Sequence, residues 1–292
     1  MFEKLKKSFQ GGTWSVLYRQ GGDDVWRMLE STSDFWYADP FLLYYDDKYY
    51  LFTEAFDEKK AIGKIAVSVM RDGMFTHPKI IIENAYHMSY PCVFRYGDKV
   101  YMLPETSEAK TLELYEAVEF PCVWNKIVLK YGVIRVDTTV YNDKGEIYLI
   151  SFDETKNVSE LYRLNMGNYS LEHLQYRQHQ EKLFRPGGGL FKSNGILYRP
   201  TQNCSQQYGG SLIIHRIRDL KNLDEERIGE YSPLEIGEGY DGLHTYNRCG
   251  EYETVDVFIS ATGFKCFMAK FKRKMHRNSI RNTQLYGKGC EV

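Results

Sequence analysis

Four acids in this chain stand at the ends of similar segments. Asp39 opens "DPFLLYYDDKYYLFTE" (39–54), and Glu54 closes it. Glu105 closes "YPCVFRYGDKVYMLPE" (90–105), and Asp137 opens "DTTVYNDKGEIYLISF" (137–152). Two carboxyls flanking a sugar are the usual equipment of glycoside hydrolysis, one as acid and the other as base or nucleophile. Convergent carboxyls also raise one another's pKa, a costly arrangement unless they are paired or used. The plainer alternative is that Asp39 and Asp137 accept backbone N–H bonds at the first turn of their segments.

Other side chains suit a sugar ligand. Tyr90 opens its segment as Asp39 opens the first. Gln202 and Asn203, in "RPTQNCSQQYGG" (199–210), offer donors and acceptors to hydroxyl groups, and Tyr208 could stack on a ring. His244 in "LHTYN" could serve as acid, base or ligand, and His87 in "YHMSYP" is similar, although a lone histidine is as readily structural. Arg185 and Arg199 could meet an anionic group such as a uronic acid or phosphate. No His/Asp/Glu spacing of the H-E-x-x-H kind and no nucleotide-binding glycine pattern occurs. "RPGGGLF" does not lead into a helix, which makes it a weak phosphate cradle. The expected site uses no metal and no cofactor.

Residues so far apart need a repeating scaffold to meet. The segments starting at 39, 90, 137 and 187 are 51, 47 and 50 residues apart. A fifth, weaker copy is "GLHTYNRCGEYETVDVFIS" (242–260). Each strong copy is an apolar run, a turn rich in Asp, Gly, Asn or Lys, and a second run with Tyr seven residues after an apolar anchor. The pairs are Leu43/Tyr50, Phe94/Tyr101, Tyr141/Tyr148 and Phe191/Tyr198. Such turns are hairpin chemistry. Further strand-like pieces follow at 63–70, 111–118, 159–165 and 211–217, with fourth strands at 78–83 and 124–130, and helical period is scarce. A period near 50 residues built of strands predicts an all-β, five-bladed propeller occupying 1–292 as one domain. Inner strands line its channel. Asp39, Tyr90, Asp137 and Gly187 then converge on one end, and tight hairpins return Glu54, Glu105, Phe152 and Gln202 to that end.

Composition sets the outer bounds. With 43% hydrophobic residues and a net charge of −1, the chain can build a large core and is a poor nucleic-acid partner. Its 24 Tyr, 16 Phe and 4 Trp suit strands and the apolar C–H faces of sugars. The six cysteines form no C-x-x-C pair, the start lacks an apolar leader core, and no run is long enough to span a membrane. Free thiols in a reducing cytoplasm are expected. The basic run "KFKRKMHRNSIR" (270–281) suggests peripheral contact with the inner membrane face or with a glycan-assembly enzyme.

"YADPFLLYYDDKYYLF" resembles the blade-opening motif of the five-bladed glycosidases of glycoside hydrolase family 43, the arabinanase and β-xylosidase clan. The resemblance implies a base-like role for Asp39. "VDTTVYNDKGEIYLIS" looks like that family's later Asp-bearing strand, which implies a pKa-tuning role for Asp137. The family's acid Glu has no counterpart, because "FRPGGGLFKSNGILY" places Arg185 and Gly187 there and a guanidinium cannot donate a proton at neutral pH. Glu54 or Glu105 would have to supply the proton. A closer resemblance covers nearly the whole chain through "ADPF…FTEAF…GKI", "HMSYPCVF…YMLPETS", "RPTQNCSQQYGGSL" and "LHTYN". It is to a bacterial propeller related to the N-terminal domain of plant glucosamine inositolphosphorylceramide transferases. That setting implies hydrolysis or transfer of a glycosyl unit in surface-polysaccharide or glycolipid metabolism. The alternative is a non-catalytic glycan-binding or glycosyltransferase-associated module.

Overall fold

The computed structural model describes residues 12–260. The basic segment 270–281, Cys266 and Cys290 lie outside them. The described chain folds as a five-bladed β-propeller made of antiparallel sheets. Blade 1 comprises Phe35–Tyr45, Lys48–Asp57 and Ile62–Arg71, with Met74–Phe75 and Lys79–Ile82 along its outer edge. Blade 2 runs Ser89–Tyr96, Lys99–Glu105, Thr111–Glu119 and Val123–Tyr131. Blade 3 runs Val136–Asp143, Glu146–Asp153, Val158–Asn165 and Ser170–Gln178. In blade 4 the inner strand is broken into Arg185–Pro186 and Phe191–Ser193, followed by Ile196–Asn203, Ser211–Asp219 and Asp224–Tyr231. Blade 5 joins both ends of the described chain. Gly242–Cys249 and Tyr252–Ser260 are completed by Gly12–Gln20 and Arg27–Met28.

The hairpins follow from their turn residues. Asp46, Asp47, Lys144 and Asn194 adopt the left-handed conformation, as do Gly97, Gly145, Gly195 and Gly250. Small or locally hydrogen-bonding side chains tolerate that region. The resulting register sets Leu43 opposite Tyr50, Phe94 opposite Tyr101, Tyr141 opposite Tyr148 and Phe191 opposite Tyr198. The seven-residue spacing in the sequence is therefore a cross-strand pair repeated in four blades.

Blades stack face to face, so an inner strand is covered on both faces and reads as a continuous apolar run. Trp36 to Leu43 are all buried, whereas the outer strand Val123–Tyr131 is half exposed. Leu51, Phe52, Ile65, Val67, Met102 and Leu103 sit fully inside the largest cluster or beside it. Each such side chain contributes roughly 1.5–3 kcal/mol of hydrophobic stabilisation. Cys92, Cys204 and Cys249 are free thiols, as expected. Cys122 departs from that expectation, being disulfide-bonded. No helix among the described residues is long and apolar enough to cross a membrane.

Candidate functional site at the channel mouth

The segment-opening residues share one unusual backbone shape. Asp39, Tyr90 and Asp137 have φ of 50°, 48° and 48°. Each lies in a bulge, between Ala38 and Phe41, Ser89 and Cys92, and Val136 and Thr139. Blade 5 has the same irregularity between Leu243 and Tyr246, spanning His244 and Thr245. In blade 4 Gly188 occupies the comparable place with φ 131°, and a Cβ there would lie 1.8 Å from the Tyr246 carbonyl oxygen. A bulge takes its N–H out of the ladder, so a buried one needs another acceptor.

Side chains from other blades supply those acceptors. The Asp39 N–H donates to Asp256 Oδ2 (2.8 Å), and the Tyr90 N–H donates to Asp39 Oδ2 (3.1 Å). The Asp137 N–H donates to Glu105 Oε2 (3.2 Å), and the Gly188 N–H donates to the Tyr90 hydroxyl (2.8 Å). Asp256 Oδ1 also accepts from Thr245 N–H (2.8 Å) and lies 2.7 Å from His244 Nδ1. Thr245 Oγ1 donates to Asp39 Oδ1 (3.0 Å). Arg185 ties blade 4 to blade 3, with Nε 2.5 Å from Asp137 Oδ2, Nη1 3.1 Å from Glu154 and Nη2 3.8 Å from Glu105. Gln202 Nε2 donates to the same Asp137 oxygen (2.9 Å).

Glu54 stands outside this network. Its side chain is only 7% exposed, yet Oε1 is buried with no hydrogen-bond partner. His87 Nε2 lies 3.5 Å away. His87 Nδ1 accepts from the Gly63 N–H (2.9 Å), so the neutral ring carries its proton on Nε2, towards Glu54. Burial keeps His87 neutral by lowering its pKa to about 4. Burial, reinforced by the charges of Asp39 and Glu105, holds Glu54 well above the usual carboxyl range. Burial thus works against an ion pair at this contact from both sides. Burial also pushes Asp39 up to about 6, with His244 pulling the other way. At His244 burial is outweighed by the Asp256 and Asp39 carboxylates, and its pKa is raised.

A cavity of about 380 Å³ opens over these groups. Asp39, Glu54, Glu105, Arg185, Tyr208 and His244 all reach its wall, as expected, and so does His87. Tyr90, Asp137 and Gln202 are not part of the wall; they hold its bulges and Arg185. Asn203 is turned away, bonded to Glu230 (2.8 Å). Arg199 is elsewhere too, bound through Nη1 to both oxygens of Glu225 at 2.8 Å. The aromatic part of the wall is largely new. Trp36 stacks on Phe56 (4.5 Å between centroids, 17°), and Trp14 stacks on His244 (3.8 Å, 10°). Trp14 Nε1 is a second buried polar atom without a partner. Asp256 was also missed from sequence. The available signal was an acid in the middle of the apolar run "TVDVFIS".

Asp39, His244 and Asp256 bring ligand-type atoms within 4.8 Å of one another. Each is already bonded within the network, and His244 balances the two carboxylates.

The family description "Glucosamine inositolphosphorylceramide transferase 1, N-terminal" matches residues 27–259. Glucosamine inositolphosphorylceramide transferase 1 of Oryza sativa subsp. japonica is 32% identical over 241 residues, covering 77% of this chain and 32% of that protein. The chain thus spans about a third of the length of the curated relatives it matches. Among solved structures, an exo-β-1,3-galactanase from Clostridium thermocellum superposes with a TM-score of 0.57 at 15% identity, over 79% of this chain and 55% of the other. A family-43 glycoside hydrolase from Xanthomonas citri, complexed with xylose, gives 0.58 at 12% identity, over 79% and 88%. At such identities the likeness is one of fold. With its propeller, its bulged channel mouth and a match over most of its length, the chain belongs to the family of glucosamine inositolphosphorylceramide transferase 1 N-terminal domains.

Proposed function

We propose that this propeller recognises a glycosyl unit of a glycan or glycolipid in the cavity at its channel mouth. One observation carries the reading. The wall holds a buried carboxyl, Glu54, with an unbonded oxygen, whereas Asp39, Glu105, Asp137 and Asp256 are engaged by backbone N–H groups or Arg185. An unbonded buried acceptor beside stacked aromatic rings suits a ligand with hydroxyl or amine donors and an apolar ring face. The relatives' name, which joins glucosamine to inositolphosphorylceramide, supports a glycolipid setting. Contact of the basic segment 270–281 with an anionic membrane face belongs to the same proposal.

A second reading is hydrolysis or transfer of that unit. It is favoured by Asp39 and Glu54 lining one cavity with both carboxyls held above their ordinary range. Glu54 would then be the proton donor, Asp39 the base and Asp137 the tuner. Incubating wild type and Asp39→Asn with surface glycans and aryl glycosides, while following bound sugar and released reducing ends, separates the two. Binding without turnover in both proteins supports recognition. Turnover lost in the variant with binding retained supports catalysis, and absence of binding throughout sinks both readings.

A further inference from the structure

The two ends of the described chain leave the ring together, on the face that carries the cavity. Gly12 pairs with Ser260, and Gly242, which opens the inner strand of blade 5, pairs with Phe258. The Asp241 N–H donates to the Phe258 carbonyl oxygen (2.9 Å). Gly12 and Ser260 therefore lie at the channel-mouth end of their strands, not at the hairpin-turn end. Charge divides along the same line. Residues 1–11 and 261–292 hold 11 of the 38 Lys and Arg and 2 of the 39 Asp and Glu, which leaves 27 bases against 37 acids in residues 12–260. A body with a net charge of −10 is thus flanked by two stretches whose charges sum to +9.

Both stretches also carry apolar residues at helical spacing. Phe264, Phe267, Met268 and Phe271 recur at i, i+3, i+4 and i+7, among five Lys or Arg between 265 and 274. Phe2, Leu5 and Phe9 repeat the pattern around Lys4, Lys6 and Lys7. A basic stretch with one apolar side is the sequence signature of a segment that lies in the headgroup layer of an anionic bilayer. A nucleic acid, or the acidic body itself, would draw the charge but leave the apolar side unused. The described blades add a rim. Tyr131 lies opposite Thr111 and Tyr231 opposite Leu212, at the mouth-side ends of blades 2 and 4. With Ile134 and Leu234 just beyond them they stand exposed, Tyr131 at 75% and Leu234 at 71%. Aromatic and aliphatic side chains suit a membrane–water interface.

We propose that the propeller docks mouth-down on an anionic bilayer. Its flanking stretches lie in the headgroup layer, the rim of Tyr131, Ile134, Tyr231 and Leu234 meets the surface, and the cavity opens onto the membrane. This rests on the membrane contact proposed above for 270–281 and gives that contact a second stretch and a face. An anionic surface repels the acidic body and attracts the flanking stretches, so contact falls on the face from which they leave. The far face also exposes Tyr44, Tyr96 and Ile196 at its hairpin turns, but neither stretch leaves there.

The test is co-sedimentation of the full chain with vesicles of phosphatidylcholine, alone or with about 30% phosphatidylglycerol, followed by hydrogen exchange of the bound protein. Binding is expected to the anionic vesicles only, and it should weaken as salt rises. Each basic residue near the surface adds on the order of fivefold to partitioning, so Lys270→Gln, Lys272→Gln, Arg273→Gln and Lys274→Gln together should lower it roughly a hundredfold or more. Phe264→Ser with Phe271→Ser should lower it at unchanged charge. None of these substitutions touches residues 12–260. Exchange should slow at 131–135 and 231–236 on the rim and stay unchanged at the far turns, 46–47, 97–98 and 194–195. Uptake by neutral vesicles equal to that by anionic ones, or by neither, overturns the proposal. So does slowed exchange at the far turns, or full binding in the phenylalanine variant. Rim protection that is present without vesicles and lost in the four-Gln variant places the basic stretch on the acidic body, and overturns it too. No readout involves sugar, so failure here leaves recognition of a glycosyl unit standing.

Discussion

A carboxyl buried without a partner opposes folding once it ionises, and at Glu54 that penalty has a pH signature. Its folded pKa lies above its unfolded value. The folded chain therefore holds this proton more tightly than the unfolded chain. The favourable contribution is complete below the unfolded pKa and is lost as pH rises through the folded one. Every tenfold difference in proton affinity between the two states corresponds to about 1.4 kcal/mol. Wild type should thus lose stability as pH rises from the ordinary carboxyl range through the raised pKa of Glu54, and Glu54→Gln should show a flatter curve, read as urea midpoints over that rise. Parallel curves would show that the carboxyl is solvated and that no isolated charge stands in the cavity. Glu54 was visible in the sequence as an acid closing a repeat, but its isolation was not. Isolation depends on which other acids are consumed, and one of the consumers lies off the repeat. Asp256 sits opposite its bulge where the earlier blades have Thr53, Pro104 and Ser151. No regular spacing marks an acid that occurs once in five copies.

The bulge is the element that turns a repeat into a site. Turn chemistry and the seven-residue pairing made the hairpins legible, because each depends on neighbours in sequence. The bulges were not legible, since left-handed backbone at a tyrosine is unfavourable locally and is held here by contacts from other blades. Tyr90 offsets its own conformation by accepting the Gly188 N–H at 2.8 Å and pairing with Thr139 Oγ1 at 2.7 Å. Tyr90→Phe leaves that N–H buried without an acceptor. A loss of about 1–3 kcal/mol is expected, seen as a lower urea midpoint at unchanged slope. An unchanged midpoint would mean that the N–H finds water and the bulges are not interlocked. Gly63 is the other sensitive joint. A Cβ there would come within 2.4 Å of the Met88 carbonyl oxygen, 2.5 Å of Glu54 Oε1 and 2.8 Å of His87 Cε1. Gly63→Ala should cost roughly 1–3 kcal/mol through overpacking. It should also abolish sugar binding, because it drives Glu54 and His87 apart. Full affinity in that variant would remove this pair from the site.

At the scale of the molecule, closing the ring and completing the cavity are one event. The fifth repeat looked weak in sequence because half of its blade comes from the other end of the described chain. Gly12–Gln20 pairs with Tyr252–Ser260 through nine residues, and Trp14, Val16, Leu17 and Tyr18 enter the core. A closed ring leaves no inner edge open and fixes the first blade against the last. Trp14 arrives on that closing strand. It stacks on His244, stands edge-on to Tyr208 at 6.3 Å, and reaches the cavity wall. Asp39 in the first blade is bonded to Asp256 and Thr245 in the last, so the seam runs through the channel mouth. A chain lacking residues 1–20 should therefore fail in two respects. Its melting transition should broaden or disappear, because an open blade 5 exposes the long strand Tyr252–Ser260. It should also fail to bind sugar, even though Asp39, Glu54 and Arg185 are all still encoded. Calorimetric melting and sugar titration of the shortened chain check both. A sharp transition near the wild-type midpoint would show that the four remaining blades and half of the fifth hold the ring by themselves. Binding retained in that protein would place the ligand away from Trp14 and the seam.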